Sequence, residues 1–233
     1  MACSGTFFRS QSMQHKLIGD RYPVLECTLS AGESIVCEGG AMLWMSDCFK
    51  METTNGDIGG VFKKLISGEN PCQNIYTANA DGKIAFGTGI PGSILAFELD
   101  GGKTLVMKKG VYLASQSTIS LDIAVQKNIK TGLFGGNGFV MQSISGAGWV
   151  FLAAEGDIHE VDLAEGEAIV IDTNHLVGYE STVTLELEDV SGIKNKLVGG
   201  EGFFNTKLTG PGKVWLQTMS MRAMLASWLP VKA

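Results

Sequence analysis

The sequence predicts an all-β fold of three tandem β-sandwich, or double-layered β, repeats followed by a short C-terminal helix. One observation is an internal repeat: Leu29 to Val36, Leu99 to Val106 and Leu163 to Val170 share a pattern of apolar residues, a glycine turn and paired aliphatics. Another is strand alternation, which recurs at the same place in every copy. The third is composition: 31 glycines against 5 prolines fit many tight turns, and 45% hydrophobic with 18% charged residues is ample for a core.

Later landmarks keep the repeat in register. Ser67-Gly68-Glu69-Asn70, Gly135-Gly136-Asn137-Gly138 and Gly199-Gly200-Glu201-Gly202 form one set; Gly82-Lys83-Ile84, Gly148-Trp149-Val150 and Gly212-Lys213-Val214 form the next. Copies two and three are offset by 64 residues throughout, whereas copy one precedes copy two by 70 at the leucine and 66 at the last glycine. A unit this small has a marginal core alone, so the copies are expected to pack into one compact body. The organisation is an N-terminal arm over 1–22, repeats over 23–91, 92–155 and 156–218, and an amphipathic helix over 219–233.

Within each repeat, Leu25, Cys27 and Leu29 fall on one strand face with Glu26 and Thr28 opposite; Leu95, Phe97, Leu99 and His159, Val161, Leu163 repeat the pattern. A second amphipathic strand carries Phe49, Met51 and Thr53, with counterparts Ile119, Leu121, Ile123 and Val183, Leu185, Leu187. Gly32, Gly102 and Gly166 read as hairpin turns, as do Asp81-Gly82, Gly148 and Pro211-Gly212 ahead of the last strand. Met221, Met224, Leu225, Trp228 and Leu229 follow helical spacing up to Pro230. This face is expected to dock on its own β body, or else to meet a second subunit, a partner or a membrane surface. Arg222 alone is too little charge for strong lipid binding.

A net charge of −6 repels phosphate backbones, so no nucleic-acid partner is expected. No run of eighteen apolar residues exists, which excludes a spanning helix. The opening stretch to Gly19 has no acidic residue but lacks a signal's apolar core, and is read as an untethered arm that contributes little to the fold. Five cysteines, an odd number without a signal, point to free thiols in a reducing, cytoplasmic compartment. Cys27 and Cys37 stand where the other copies have apolar residues, so both are expected in the core; Cys48, matching Thr118 and Thr182, is expected to be more exposed.

Candidate chemistry is sparse. The Gly-rich segments lack the Lys-Ser/Thr of a P-loop and the strand-to-helix setting of a dinucleotide fingerprint. No Cys/His cluster has zinc spacing, no cofactor is implied, and the scattered histidines oppose a cupin-like metalloenzyme or hydrolase. His159 aligns with Leu25 and Leu95 and reads as a partly buried structural residue; Asp172 with His175 lacks a nucleophile. Glu52, Asp122 and Glu186 recur at one position and read as a solvated strand face that resists edge pairing. Lys63, Lys64, Lys127, Lys130, Lys194 and Lys196 precede the Gly-rich turns in each copy. Around a pseudo-threefold axis they would form a ring able to contact an anion or acidic partner.

Tyr22-Pro23-Val24-Leu25-Glu26, Leu29 to Glu33, Glu38-Gly39-Gly40-Ala41-Met42, Pro91-Gly92, Gly199-Gly200-Glu201-Gly202 and Leu208-Thr209-Gly210-Pro211-Gly212 together resemble the altered-inheritance-of-mitochondria 24 family, from about Ile18 to Thr218. The resemblance implies a fold like the tryptophan RNA-binding attenuator protein, with three units related by pseudo-threefold symmetry. It also implies, for eukaryotic members, a mitochondrial location and an association with inner-membrane organisation. It carries no catalytic or binding motif, and a shared fold does not bring RNA binding with it. The function expected is therefore a non-enzymatic scaffold or protein-interaction protein that forms a homo-oligomer or binds another protein. The alternative is a binding module for a small anionic ligand, nucleotide or peptide between repeats. Peripheral membrane contact has no support in the residues.

Overall fold

Residues 13–54, 73–124, 140–188 and 205–228 are described by a computed structural model. Their strands are β1 (Gln14–Ile18), β2 (Val24–Leu29), β3 (Ser34–Glu38), β4 (Met42–Met45), β5 (Phe49–Thr54), β6 (Gln73–Ala78), β7 (Gly82–Phe86), β8 (Gly92–Asp100) and β9 (Leu105–Lys108). The second half adds β10 (Tyr112–Gln116), β11 (Ile119–Ile123), β12 (Met141–Glu155), β13 (Ile158–Leu163), β14 (Ala168–Asp172), β15 (Leu176–Glu180), β16 (Thr184–Glu188), β17 (Asn205–Thr209) and β18 (Gly212–Gln217). A 3-10 turn spans Thr173–His175, and one helix, α1, spans Met221–Trp228. The all-β expectation and the terminal helix both agree with this.

Every described strand pair is antiparallel, and one pairing scheme is used three times. β7 lies between β2 and β4 while β6 lies between β3 and β5; β18 lies between β13 and β15 while β17 lies between β14 and β16. In the middle stretch the single long β12 takes both inner places, pairing β8 and β10 with one half and β9 and β11 with the other. Four layers result. Sheet I is β1-β2-β7-β4, sheet II β8-β12-β10-β3-β6-β5, sheet III β13-β18-β15-β9-β12-β11 and sheet IV β14-β17-β16.

β12 belongs to both middle sheets because it bends. Gly146 (φ 114°) and Gly148 (φ 141°) take backbone angles that side chains disfavour. A Cβ on Gly146 would overlap the Thr118 carbonyl oxygen, and one on Gly148 would lie 2.8 Å from the Gln116 and Thr118 side-chain oxygens. The turn expected at Gly148 is thus a bend inside one continuous strand.

Three apolar clusters fill the spaces between successive layers. Leu25, Cys27, Leu29, Ile35, Cys37, Tyr76 and Phe86 pack between sheets I and II, joined by Leu113 and Phe151. Leu99, Met107, Tyr112, Ile144, Val150 and Leu152 pack between II and III with Val177 and Trp215. Met141, Leu163, Tyr179, Leu185, Leu208 and Val214 pack between III and IV. Each of the first two clusters borrows side chains from the next stretch of chain, so the stretches share cores.

Two expectations need correction. The N-terminal arm does contribute to the fold: β1 pairs with β2 from Gln14↔Thr28 to Ile18↔Val24, and Met13 is buried. Its His15 ring meets Trp149 edge-on at 4.3 Å and Phe151 at 4.9 Å. His159 is exposed rather than partly buried. It lies on β13, an outer strand of sheet III among the described residues, and is absent from the cluster that takes in Val161 and Leu163 of the same strand, whereas the corresponding Leu25 packs in the cluster between sheets I and II. Cys27 and Cys37 are buried as expected and Cys48 is half-buried. Burial pushes the Cys27 thiol up and the Cys37 thiol up to about 12, which keeps both protonated and unreactive.

Thiol labelling of the native protein, mapped by peptide mass spectrometry, is expected to modify Cys48 well before Cys27 or Cys37; comparable native labelling of all three would contradict this burial. Phe151→Ala empties a site shared by two stretches and is expected to cost about 3–5 kcal/mol in urea unfolding. Val170→Ala, at a half-exposed position, is expected to stay within about 0.5 kcal/mol.

Candidate interaction surface

Consecutive stretches are sewn together by short strand pairings. β10 pairs with β3 (Ala114↔Cys37, Ser115↔Val36, Gln116↔Ile35), and β15 pairs with β9 (Gly178↔Met107, Tyr179↔Val106, Glu180↔Leu105). The first seam is reinforced by Tyr112, whose hydroxyl donates to the Val36 carbonyl at 3.1 Å and leaves Ser115 to donate to the phenolic oxygen at 2.9 Å.

Both seams carry a small residue where the strands approach. Ala114 is fully buried, and a Cβ on Gly178 would overlap the Met107 sulfur and lie 2.7 Å from the Val106 carbonyl oxygen. The bulk is carried instead by the cross-strand partner. Ala114 faces Phe151, and Gly178 faces Trp215, whose ring meets Phe97 edge-on at 4.9 Å. At the repeat position in the first stretch the sizes are exchanged, with Trp44 facing Ala85.

The strand bearing Trp44 has no second neighbour among the described residues. Among the described residues β4 pairs only with β7 and β14 only with β17, so sheets I and IV each end in an open edge. The residues at these edges are exposed where their counterparts are buried. Leu43, Trp44 and Met45 are 45%, 47% and 37% exposed against 2%, 0% and 2% for Leu113, Ala114 and Ser115. On β14, Val170 is 51% exposed.

α1 adds a second apolar surface. Its first turn is held by the Glu155 carboxylate, which accepts from Met221 N–H at 2.5 Å, and by Ser220, whose carbonyl accepts from Met224 N–H at 2.9 Å. Of the expected interface residues, Met221 and Met224 are half-buried, Leu225 and Trp228 are 49% and 72% exposed, and Leu229 lies outside the described residues. The anchored end therefore leaves the distal apolar side chains uncovered. No described helix is long and apolar enough to cross a membrane.

The remaining candidates scatter. Lys63, Lys64, Lys127, Lys130, Lys194 and Lys196 all lie outside the described residues, as do the three Gly-rich landmarks. Asp172 accepts the Asn174 N–H at 2.9 Å, and His175 Nδ1 sits 2.7 Å from the Gln217 carbonyl, which requires the proton on Nδ1. Each of the pair is committed to backbone. Glu52, Asp122 and Glu186 fall on the outer strands β5, β11 and β16 and are exposed; Lys50 sits 2.8 Å from Glu52 and Lys207 3.9 Å from Glu186. A cavity of about 100 Å³ bounded by Lys108, Val111, Glu155 and Gln217 is smaller than the several hundred Å³ typical of ligand pockets. The open edges escape a reading of one strand at a time. Their signal in the sequence is the exchange of large and small residues at positions 44, 114 and 178 against 85, 151 and 215.

Comparison with known proteins finds relatives over most of the chain. An uncharacterised protein of Streptococcus pyogenes serotype M6 is 27% identical over 226 residues, covering 91% of this chain and 89% of that one. A crystal structure of another Streptococcus pyogenes protein superposes with a TM-score of 0.74 at 23% identity, over 92% of this chain and 97% of the other, and so shares the fold. The sequence profile described as Mitochondrial biogenesis AIM24 matches residues 15–219. With a match spanning every described sheet, the chain belongs to the Mitochondrial biogenesis AIM24 family.

Proposed function

We propose that this chain is a non-enzymatic interaction protein, a scaffold whose three repeats are arranged with pseudo-threefold, attenuator-like symmetry. Two of the three repeat junctions are made within the chain, and the third is left as a pair of docking edges. The observation that carries this reading is the exposure of Leu43, Trp44, Met45 and Val170 beside strands with no second neighbour among the described residues. Apolar strand edges of this kind are binding templates unless something shields them. The uncovered Leu225 and Trp228 of α1 extend the apolar surface available to a partner. The engagement of Asp172 and His175 with backbone groups favours an interaction role over catalysis by that pair.

The test is a photo-cross-linking residue placed at position 43 or 228 of the full chain in its source cells, with position 98 on the exposed face of β8 as control. Intermolecular adducts to protein are expected at 43 and 228 above the level at 98. Equal, background-level adducts at all three positions would reject the interaction reading.

A further inference from the structure

We infer that the partner of the open edges is a second copy of this chain, joined head to tail, with β4 of one copy against β14 of the next. This rests on the interaction reading above and names its partner. β4 occupies the place in its stretch that β10 and β15 hold in theirs, and β14 the place of β3 and β9. Among the described residues each chain therefore carries one unmatched edge of each kind, and the pair of kinds has already been joined twice within it. Carrying the register across by the repeat offsets sets Trp44 opposite Ile171 and Met45 opposite Val170. Antiparallel partners at such positions bring Cβ atoms to about 4.5–5.5 Å, close enough for Trp44 to cover the aliphatic pair.

Charge separates these two edges from the others. The outer strands β1, β5, β8, β11, β13 and β16 carry Lys16, Lys50 with Glu52, Glu98, Asp122, Glu160 with Asp162, and Glu186. Charges of this kind keep an edge from pairing. β4 has none, and β14 has only Asp172 at its last position. The edges left unshielded are thus the two that match each other.

The match is left to a second copy because one chain does not make it: among the described residues β4 pairs only with β7 and β14 only with β17. At the internal seams the second strand bears Ala114 or Gly178, and the aromatic sits one strand back, whereas β4 itself bears Trp44. In the structure Trp44 and Val170 of one chain leave each other exposed. A head-to-tail contact uses different surfaces on the two partners, so one copy can engage two neighbours.

Native mass spectrometry and sedimentation velocity of the full chain over a concentration series test this. The unsubstituted chain is expected to form dimers and higher species as concentration rises. Trp44→Lys alone and Val170→Lys alone are each expected to lose self-association, since each removes one of the two edges from every copy. Mixed in equal amounts, they are expected to regain a one-to-one dimer that grows no further, because Val170→Lys supplies β4 and Trp44→Lys supplies β14. Circular dichroism melts check that each variant folds, and Met45→Lys replaces Trp44→Lys if the latter melts lower. A chain monomeric at every concentration overturns the proposal, as does a Val170→Lys variant that still self-associates or a mixture that stays monomeric. Adducts at position 43 in cells, together with a purified chain that is monomeric throughout, would leave the interaction reading standing and remove the second copy as the partner.

Discussion

How closely one strand can approach the next governs this architecture. At the seam between β9 and β15 the backbones are so near that Gly178 has no room for a methyl group, and at the seam between β3 and β10 the small Ala114 is fully buried. Sheet spacing is nearly constant, so bulk removed from one side of a seam must be supplied elsewhere if the core is to stay filled. Phe151 and Trp215 supply it from the adjoining inner strands, and they also carry the clusters across from one stretch to the next. The close approach and the shared core are two sides of one volume constraint.

The N-terminal strand follows from the same constraint. Where the second stretch has Phe97, whose ring meets Trp215, the first has the smaller Cys27 in the cluster that holds Phe151. β1 brings His15 into that space, against both Phe151 and Trp149. Residues that look like a loose leader in one dimension are therefore part of the first sandwich. The opposite case is His159, which aligns with a core leucine but is exposed near the start of a strand whose Val161 and Leu163 reach the third cluster. Burial depends on the neighbour as much as on the position within a strand.

Edges are the other consequence. A layered β protein that is not a closed barrel must end somewhere, and most of its ends here are charged. The recurrent acids Glu52, Asp122 and Glu186 lie on such outer strands, a placement that suits them to resisting further pairing. The two ends without that protection are the ones whose equivalents are joined elsewhere in the chain. The proposed docking surface would rest on backbone hydrogen bonding plus one large aromatic rather than on a cluster of histidines or cysteines.

The amino-acid sequence by itself determined the all-β class, the strand alternation, the burial of Cys27 and Cys37, the terminal helix and the family resemblance that the matched profile supports. These are legible because alternation and helical spacing are local, and because a sequence pattern that recurs along the chain separates a core position from an accident. Only the tertiary structure decided that β1 is part of the body, that β12 runs unbroken between two sheets, and that β4 and β14 have one neighbour each among the described residues. Those outcomes depend on which strand lies beside which, over separations of tens of residues, and on whether two side chains can share one fixed spacing. Trp44 shows the difference: as a letter it is one apolar residue in a strand, and its place at an open edge emerges only beside Ala114, Gly178 and the partners they face.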